Sequence, residues 1–356
     1  MLNVEGKLFM KLKADKLTQF FMKNKFIDCS IQKGGIPGVS GCLEHTAILS
    51  QLITEAKSRK DNLVITWLDI ANAYGSLVHL LIMVALERTH VPEEVRALVA
   101  SYYGDFQVRF TTENFTTTWQ KVEKGIITGC TLSVILFAVT MTMLVASTKK
   151  ETKGPRTKSG QQQENARLYM DDVTASTATT TQMNYLLEEI NRFFSWGRLE
   201  VKPGKCRALV IEKGLVTDRN VKINNVKIMS VREKSIKYLG KEFNHTLHDR
   251  DQVDKVSVSM KEGIKKLDKC ALAGRYKAWI LQNMLLPRLM WPLSIYSIPQ
   301  TRIEEFQRSF TSSLKKWLGL PRSLSTDMLY ARSAAVQLPF KSVVEEVKVA
   351  RVRSSC

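Results

Sequence analysis

The sequence predicts an α+β fold, with helices backing one sheet over residues 1–248 and an all-helical domain over 249–356. Three observations predict it. "NLVITWLDI" (Asn62 to Ile70) is a continuous β-branched and apolar run, as in a central strand buried on both faces. Between that run and Arg250 the hydrophobic spacing switches repeatedly between the helical and the strand period. Beyond Arg250 strand signals vanish and only helical spacing remains.

Taken in order, "KADKLTQFFMKNKF" and "CLEHTAILSQLITEAKSRK" have helical spacing, and "QKGGIPGVSG" (Gln32 to Gly41) separates them with Gly and Pro that forbid one continuous helix. That loop suits either close approach to a ligand or a plain connection. After the strand ending at Asp69 come a helix near Leu77 to Arg88 and another opened by "VPEEVRALVASYY", with Pro92 in its first turn. "FQVRFTTENFTTTWQKV" alternates around "TEN" and reads as a hairpin. "GIITGC" leads into an apolar helix, and the basic loop "KKETKGPRTKSGQQQE" follows. "LYMDDVTAST" (Leu168 to Thr177) reads as a buried strand and an amphipathic helix follows over about 181–196. "CRALVIEKG" and "VKINNVKIMS" are strand signals, the second turning at Asn224-Asn225. In "DQVDKVSVSMKEGIKKLDKCALA" the residues Val253, Val256, Met260, Ile264 and Leu267 share one helix face.

Composition narrows the function classes. A formal charge of +19 favours a polyanionic partner, with nucleic acid ahead of an anionic membrane. The six cysteines are scattered singly, which argues against a zinc site and a disulfide framework and fits a reducing compartment. The apolar run from Leu132 to Ser147 is too short and too rich in Thr and Ser to span a bilayer, and a buried helix is expected there. The start, "MLNVEGKLFMKLKADKL", has charges among its apolar residues and no signal-type core. An intracellular protein, nuclear or cytoplasmic, is therefore expected, with no signal peptide and no transmembrane segment.

The adjacent carboxylates Asp171 and Asp172 lie within an apolar strand pattern, where burying uncompensated charge costs several kcal/mol each. Neighbouring residues of a strand point to opposite faces, so the two converge only where the strand bends into a turn. A divalent metal is the usual compensation, and hard oxygen ligands select Mg²⁺ or Mn²⁺. A third carboxylate ending a neighbouring strand completes a site for two ions roughly 4 Å apart, suited to phosphoryl transfer. Asp69 is placed for that role.

"WLDIANAYGSLVH" (Trp67 to His79), "GIITGCTLSVILF" (Gly125 to Phe137), "YMDD" (Tyr169 to Asp172), "KPGKC" (Lys202 to Cys206) and "YLG" (Tyr238 to Gly240) resemble, in order and spacing, polymerase motifs A to E of reverse transcriptases. With "QKGGIPGVSG" and "WLGLPRSLST" (Trp317 to Thr326), the chain is most similar to non-LTR (LINE-type) retrotransposon enzymes. The resemblance implies a right-hand polymerase: partial fingers and a palm with an antiparallel sheet backed by helices over 1–248, then a helical thumb over 249–356. It implies RNA-directed DNA polymerase activity with two Mg²⁺ or Mn²⁺ ions, on an RNA template, a DNA primer and deoxynucleoside triphosphates. Other retrotransposon-encoded chains are further partners it implies, and no membrane.

Carried over by residue, Asp69, Asp171 and Asp172 are catalytic and, with Ile70, metal-binding. Lys205 matches the lysine that protonates or neutralises the leaving pyrophosphate; its other reading is an exposed turn lysine. Tyr74 would be the steric gate against a 2′-hydroxyl, its other reading being a core residue. Gly125, Thr128, Gly129 and Tyr169 complete the substrate-binding set, the glycines allowing close backbone approach to the nascent base pair. His79 reads as structural, and "KYLGKEF" as the hairpin gripping the primer end.

The sequence departs from the family pattern in three places. "SLVH" lacks the Pro usual before the His, and Thr128 stands where many polymerases have Gln. The chain also starts where the fingers motif that contacts the triphosphate would have ended, so an N-terminal truncation is expected. The alternative is therefore a catalytically inactive retrotransposon fragment or domesticated protein that only binds nucleic acid.

Overall fold

The computed structural model describes residues 3–39, 41–246, 248–330, 338 and 340–355. They form two compact units, Met1–Ile236 and Lys237–Cys356.

The first unit opens with α1 (Val4–Lys23), α2 (Gly41–Arg59), β1 (Leu63–Leu68), α3 (Ala73–Ser76), α4 (His79–Arg88) and α5 (Glu93–Gly104). It continues with β2 (Gln107–Val108), β3 (Gln120–Lys121), α6 (Thr131–Glu151), β4 (Ala166–Tyr169), β5 (Asp172–Thr177) and α7 (Thr180–Trp196). It closes with β6 (Arg207–Glu212), β7 (Leu215–Thr217), β8 (Lys222–Ile223) and β9 (Val226–Lys227). The principal sheet is antiparallel throughout, in the order β4-β5-β1-β6-β7.

β1 is the middle strand, and all six of its residues are buried. Side-chain alternation divides them. Val64 and Leu68 join a core with α1, α4, α5, α6 and α7, while Leu63, Ile65 and Trp67 are buried on the opposite face. α2 packs on β1 and β4, and α7 on β5. The buried residues of α7, Met183, Leu186, Leu187, Ile190, Phe193 and Phe194, follow the spacing of one helix face. β8 and β9 turn through Asn224 and Asn225, both at positive φ, which is the geometry Asn tolerates best among non-glycine residues.

Two expectations need correction, and one strand was not foreseen. Leu168 to Thr177 is not one strand but the end of β4, a two-residue turn and β5, with Tyr169 opposite Asp172. β7, a short strand after the turn at Lys213-Gly214, has no alternation long enough to announce it. The apolar run at 132–147 extends into a helix of 21 residues, α6, long and apolar enough to cross a membrane. Its surface is instead largely covered by α1, α4 and α7, and it serves as the core helix of the unit.

The second unit begins with β10 (Ile236–Tyr238) and β11 (Lys241–Phe243), then α8 (Arg250–Lys269), α9 (Gly274–Ile280), a π-helical turn (Leu281–Leu285) and α10 (Leu286–Ile295). α11 (Gln300–Trp317), α12 (Thr326–Tyr330) and α13 (Val343–Ser355) complete it. The division at 236/237 lies before the expected 248/249, and the unit is not wholly helical, because the hairpin is anchored to its helices. The Lys241 ammonium is buried between the Asp249 carboxylate at 3.3 Å and the Ile295 carbonyl at 3.0 Å. The Glu242 N–H donates to the Tyr296 hydroxyl at 2.9 Å. Gly240, at φ +84, lies so close to the Trp291 indole that a Cβ there would collide with it.

Candidate active site

The three sequence-selected carboxylates meet at one end of the sheet. β1 pairs with β5 up to Leu68 opposite Val173, and Asp69 is the next residue after that pair. Asp172 is the first residue of β5, and Met170-Asp171 is the turn joining it to β4. The turn is what lets two adjacent side chains leave strand alternation and share one edge. It requires φ +57 at Met170, a conformation uncommon for a long side chain. Crowding by the surrounding protein, then the negative charges of Asp171 and Asp69, push the Asp172 carboxyl up to about 6, although the residue keeps a solvent-exposed edge. The site therefore gathers more negative charge than it neutralises from within.

The "KPGKC" turn locks Asp69 from the other side. The Lys202 N–H donates to the Asp69 carbonyl at 2.9 Å, and the Asp69 N–H points at the Cys206 sulfur at 3.5 Å. The Cys206 thiol in turn donates to the Lys202 carbonyl at 3.3 Å, and burial pushes it up to about 11, so it stays a thiol. These contacts bring the Lys205 ammonium to 3.5 Å from the Asp69 carboxylate, with most of its own side chain in solvent. Ile70 lies opposite Val201, and the bonds from Ala71 to Glu200 and from Lys202 to Asp69 straddle that pair. Its own N–H and C=O consequently face away from that strand.

Tyr74 is half-buried, its ring stacked on Phe137 with centroids 5.0 Å apart and planes 8° apart. Burial, with the nearby Asp171 charge, pushes its hydroxyl up to about 12. The "GIITGC" loop is tied to this segment: Gly125 N–H donates to Leu77 O and Ile126 N–H to Tyr74 O, each at 2.7 Å. Within that loop the two glycines differ. Gly125, at φ +94, is buried with the Gly75 backbone 2.8 Å from where a Cβ would stand, so its close approach is to protein. Gly129, at φ +86, has open space around it, and Thr128 beside it is exposed. His79 holds the loop through Nε2 at 2.7 Å from Gly125 O and packs on Tyr103, in keeping with a structural role.

Sequence reasoning missed the support behind the hairpin. Residues 31–33 run parallel to β4, Leu168 N–H donating to Ile31 O at 2.9 Å and Lys33 N–H to Leu168 O at 3.1 Å. His45, fully buried, lies with Nε2 3.1 Å from Leu168 O, and burial drops its imidazole to about 4. A hydrogen bond with Cys42, then burial, push the Tyr169 hydroxyl up to about 12. The Gly-Gly pair of "QKGG" was the available signal: Gly34 and Gly35 both press against Met170.

Comparison with known proteins decides between the families such a carboxylate edge could serve. The family profile described as "Reverse transcriptase (RNA-dependent DNA polymerase)" matches residues 1–243. The chain belongs to the reverse transcriptase family. It is 22% identical over 322 residues to the retrovirus-related Pol polyprotein from type-1 retrotransposable element R2 of Nasonia vitripennis, covering 88% of this chain and 31% of that protein. It is 23% identical over 317 residues to the corresponding polyprotein from type-2 retrotransposable element R2DM of Drosophila melanogaster, covering 86% of this chain and 29% of that one. The chain thus spans about a third of the length of these relatives. Among solved structures, telomerase from Candida albicans in complex with a fragment of telomeric RNA aligns with TM-score 0.48 and 12% identity, over 98% of this chain and 52% of that one. The expected α+β, right-hand polymerase class is that of this reverse transcriptase, with the principal antiparallel sheet as its palm.

Reverse transcriptases use divalent metal ions, and this one has the donor chemistry for them. Asp69, Asp171 and Asp172 offer hard carboxylate oxygens, and the charges of the first two lie close enough to add to the raised proton affinity of Asp172. Among the described residues no group of three or more His, Cys, Asp or Glu side chains is arranged to hold a metal ion. The site is an open edge, one carboxylate of which is turned toward Lys205.

Proposed function

We propose that this chain is the polymerase part of a non-LTR retrotransposon protein, an RNA-directed DNA polymerase that adds deoxynucleotides to a primer 3′-hydroxyl. The observation that carries this reading is the convergence of Asp69, Asp171 and Asp172 on one sheet edge, with Lys205 3.5 Å from Asp69 and the Tyr74 ring beside Asp171. Asp69, Asp171, Asp172 and the Ile70 carbonyl are the residues that would hold two Mg²⁺ or Mn²⁺ ions. The chemistry such ions would supply there is activation of the attacking hydroxyl and neutralisation of triphosphate charge. The bond formed joins the primer O3′ to the α-phosphorus, and the bond broken releases pyrophosphate. Lys205 delivers a proton or a positive charge to that leaving group. The flat Tyr74 ring, backed by Phe137, closes the space a ribose 2′-hydroxyl would need. Thr128, Gly129 and Tyr169 line the substrate side.

The net charge of +19 supports an RNA template and a DNA primer as partners, with deoxynucleoside triphosphates as substrates and other chains of the element alongside. These substrates put the activity inside the cell, in the nucleus or the cytoplasm.

Primer extension on poly(rA)/oligo(dT) with dTTP and Mg²⁺ or Mn²⁺ tests the reading. The wild-type chain extends the primer, and the Asp171→Ala, Asp172→Ala double variant does not while still binding the duplex. Salt-sensitive duplex binding by both, with extension by neither, would leave a nucleic-acid-binding protein without turnover.

A further inference from the structure

Gln32 is 1% exposed and stands 138 positions before Met170, yet the Met170 N–H donates to its Oε1 at 3.1 Å. The Gly34 N–H donates to the same oxygen at 3.0 Å. Both partners are N–H groups, so the carboxamide has only one orientation in which it can serve them. The consequence is that Nε2 is left buried without a hydrogen-bond partner. A side chain kept for packing alone would be apolar, since an unpaired buried amide is costly. The oxygen is therefore the part of Gln32 that matters, and what it holds is the turn between the two strands of the carboxylate hairpin.

The surroundings act on the same point. Met170 is at φ +57, so the turn needs an outside partner to keep its geometry. A Cβ on Gly34 would come within 2.5 Å of Met170 N, and one on Gly35 would collide with the Met170 side chain and with Val134. Glycine at both positions lets residues 32–35 lie directly against the turn.

We propose that Gln32 is a positioning residue for catalysis: by accepting from Met170 N–H across the Gly34-Gly35 approach, its carboxamide oxygen fixes the turn that aims Asp171 and Asp172 at the reacting metal and phosphate. The proposal rests on the polymerase reading for its effect on turnover. Its effect on the turn does not depend on that reading. Gln32 touches no reacting atom, and its influence passes through the backbone of residues 169–172.

The test compares the full chain with Gln32→Met, which matches the shape without the acceptor, and Gln32→Glu, which restores an acceptor oxygen. Amide hydrogen exchange at Met170, Mn²⁺ binding followed by EPR, and single-turnover primer extension are measured with the melting temperature as control. In Gln32→Met, Met170 exchange accelerates about tenfold or more and Mn²⁺ affinity falls. The extension rate drops by about 10²-fold, the size expected of an ångström-scale misplacement, with the duplex Kd unchanged. Gln32→Glu moves all three back toward wild type. Gly34→Ala, which pushes on the turn from outside with Gln32 intact, gives the same signature and serves if Gln32→Met does not fold. Unaltered Met170 exchange in Gln32→Met, or faster exchange with undiminished Mn²⁺ binding, overturns the proposal. A wild-type chain that extends no primer defeats the polymerase reading instead, and the exchange and Mn²⁺ measurements still decide the role of Gln32.

Discussion

Asp69 and Asp172 flank the last pair of the β1–β5 ladder, Asp69 following Leu68 and Asp172 preceding Val173, so their carboxylates share one end of the palm sheet. On the other flank of Asp69 the β1–β6 register breaks after Trp67–Arg207, and the "KPGKC" turn that breaks it brings the Lys205 ammonium to 3.5 Å from the Asp69 carboxylate. One row therefore reads ammonium, carboxylate, carboxylate, and like charges meet at its second junction. An acid held at about 6 against an ordinary 3.8 binds its proton more tightly in the folded than in the unfolded chain. The stabilisation this brings is absent at neutral pH and grows as pH falls through about 6 toward 3.8. Metal-free Asp172→Asn will accordingly melt higher than wild type near neutral pH, and the difference will shrink on acidification. Melting curves in EDTA at about pH 7.5 and about pH 5.5 check this, and parallel pH profiles would contradict it.

Lys205 sits where it can serve a leaving group without being buried. Lys205→Met should lower the single-turnover extension rate by about 10²-fold, the typical reach of a general acid. Binding of primer–template should hold nearly constant, because one exposed lysine adds little to a charge of +19. Rapid-quench kinetics and a filter-binding titration separate the two. A rate loss matched by an equal loss of duplex affinity would make Lys205 a phosphate contact.

In the steric-gate role proposed for Tyr74, its ring, stacked flat on Phe137, would make discrimination a property of ring volume and not of the hydroxyl. Tyr74→Phe should keep the preference for deoxynucleotides, whereas Tyr74→Ala should relax it by about 10²-fold, in the range one misplaced group contributes. Competing dCTP and rCTP on one primer measures both. Equal relaxation in the two variants would point to the hydroxyl.

His45 adds an acid sensitivity of opposite sign to that of Asp172. Its imidazole is held neutral at about 4 against an ordinary 6.5, so the stability it contributes is present above 6.5 and lost as pH falls toward 4. Near pH 5.5 the loss is about 1 kcal/mol. His45→Gln, which can still donate to Leu168 O, should remove this slope, read as a urea midpoint that no longer falls between about pH 7 and about pH 5.5.

What could be read from the sequence was what is local. β1 announced itself because a strand buried on both faces carries no charged residue until Asp69 ends it. The Asn224-Asn225 turn was legible because positive φ selects those residues. The carboxylate hairpin was seen as one strand, since Met170, the turn residue at positive φ, is not a turn former and the bend is held from outside by Gln32 and Gly34. Contacts such as His45 to Leu168 or Cys206 to Asp69 join positions more than a hundred residues apart, and no periodicity encodes them. The β10–β11 hairpin groups with the helical unit through the buried Lys241, whose partners Asp249 and Ile295 lie later in the chain and are not legible from the hairpin's own sequence.

The two glycines of the "GIITGC" loop should separate folding from function. Both have positive φ, so alanine is strained at either, by about 1 kcal/mol where nothing else opposes it. At Gly125 the methyl would also meet Gly75 O at 2.8 Å and Gly75 Cα at 3.0 Å, backbone atoms that cannot swing aside as a side chain can. Gly125→Ala should therefore cost about 2–4 kcal/mol in urea unfolding, while Gly129→Ala costs about 1 kcal/mol. Activity should rank the other way among molecules that remain folded. Gly129 is exposed beside Thr128 with open space over it, so its methyl intrudes only on whatever occupies that space. If the loop lines the nascent base pair, Gly129→Ala raises KM for the nucleotide more than its small stability loss accounts for. Gly125→Ala then loses activity only in proportion to its unfolded fraction. A Gly129→Ala protein with unchanged KM would move the base-pair surface away from this loop.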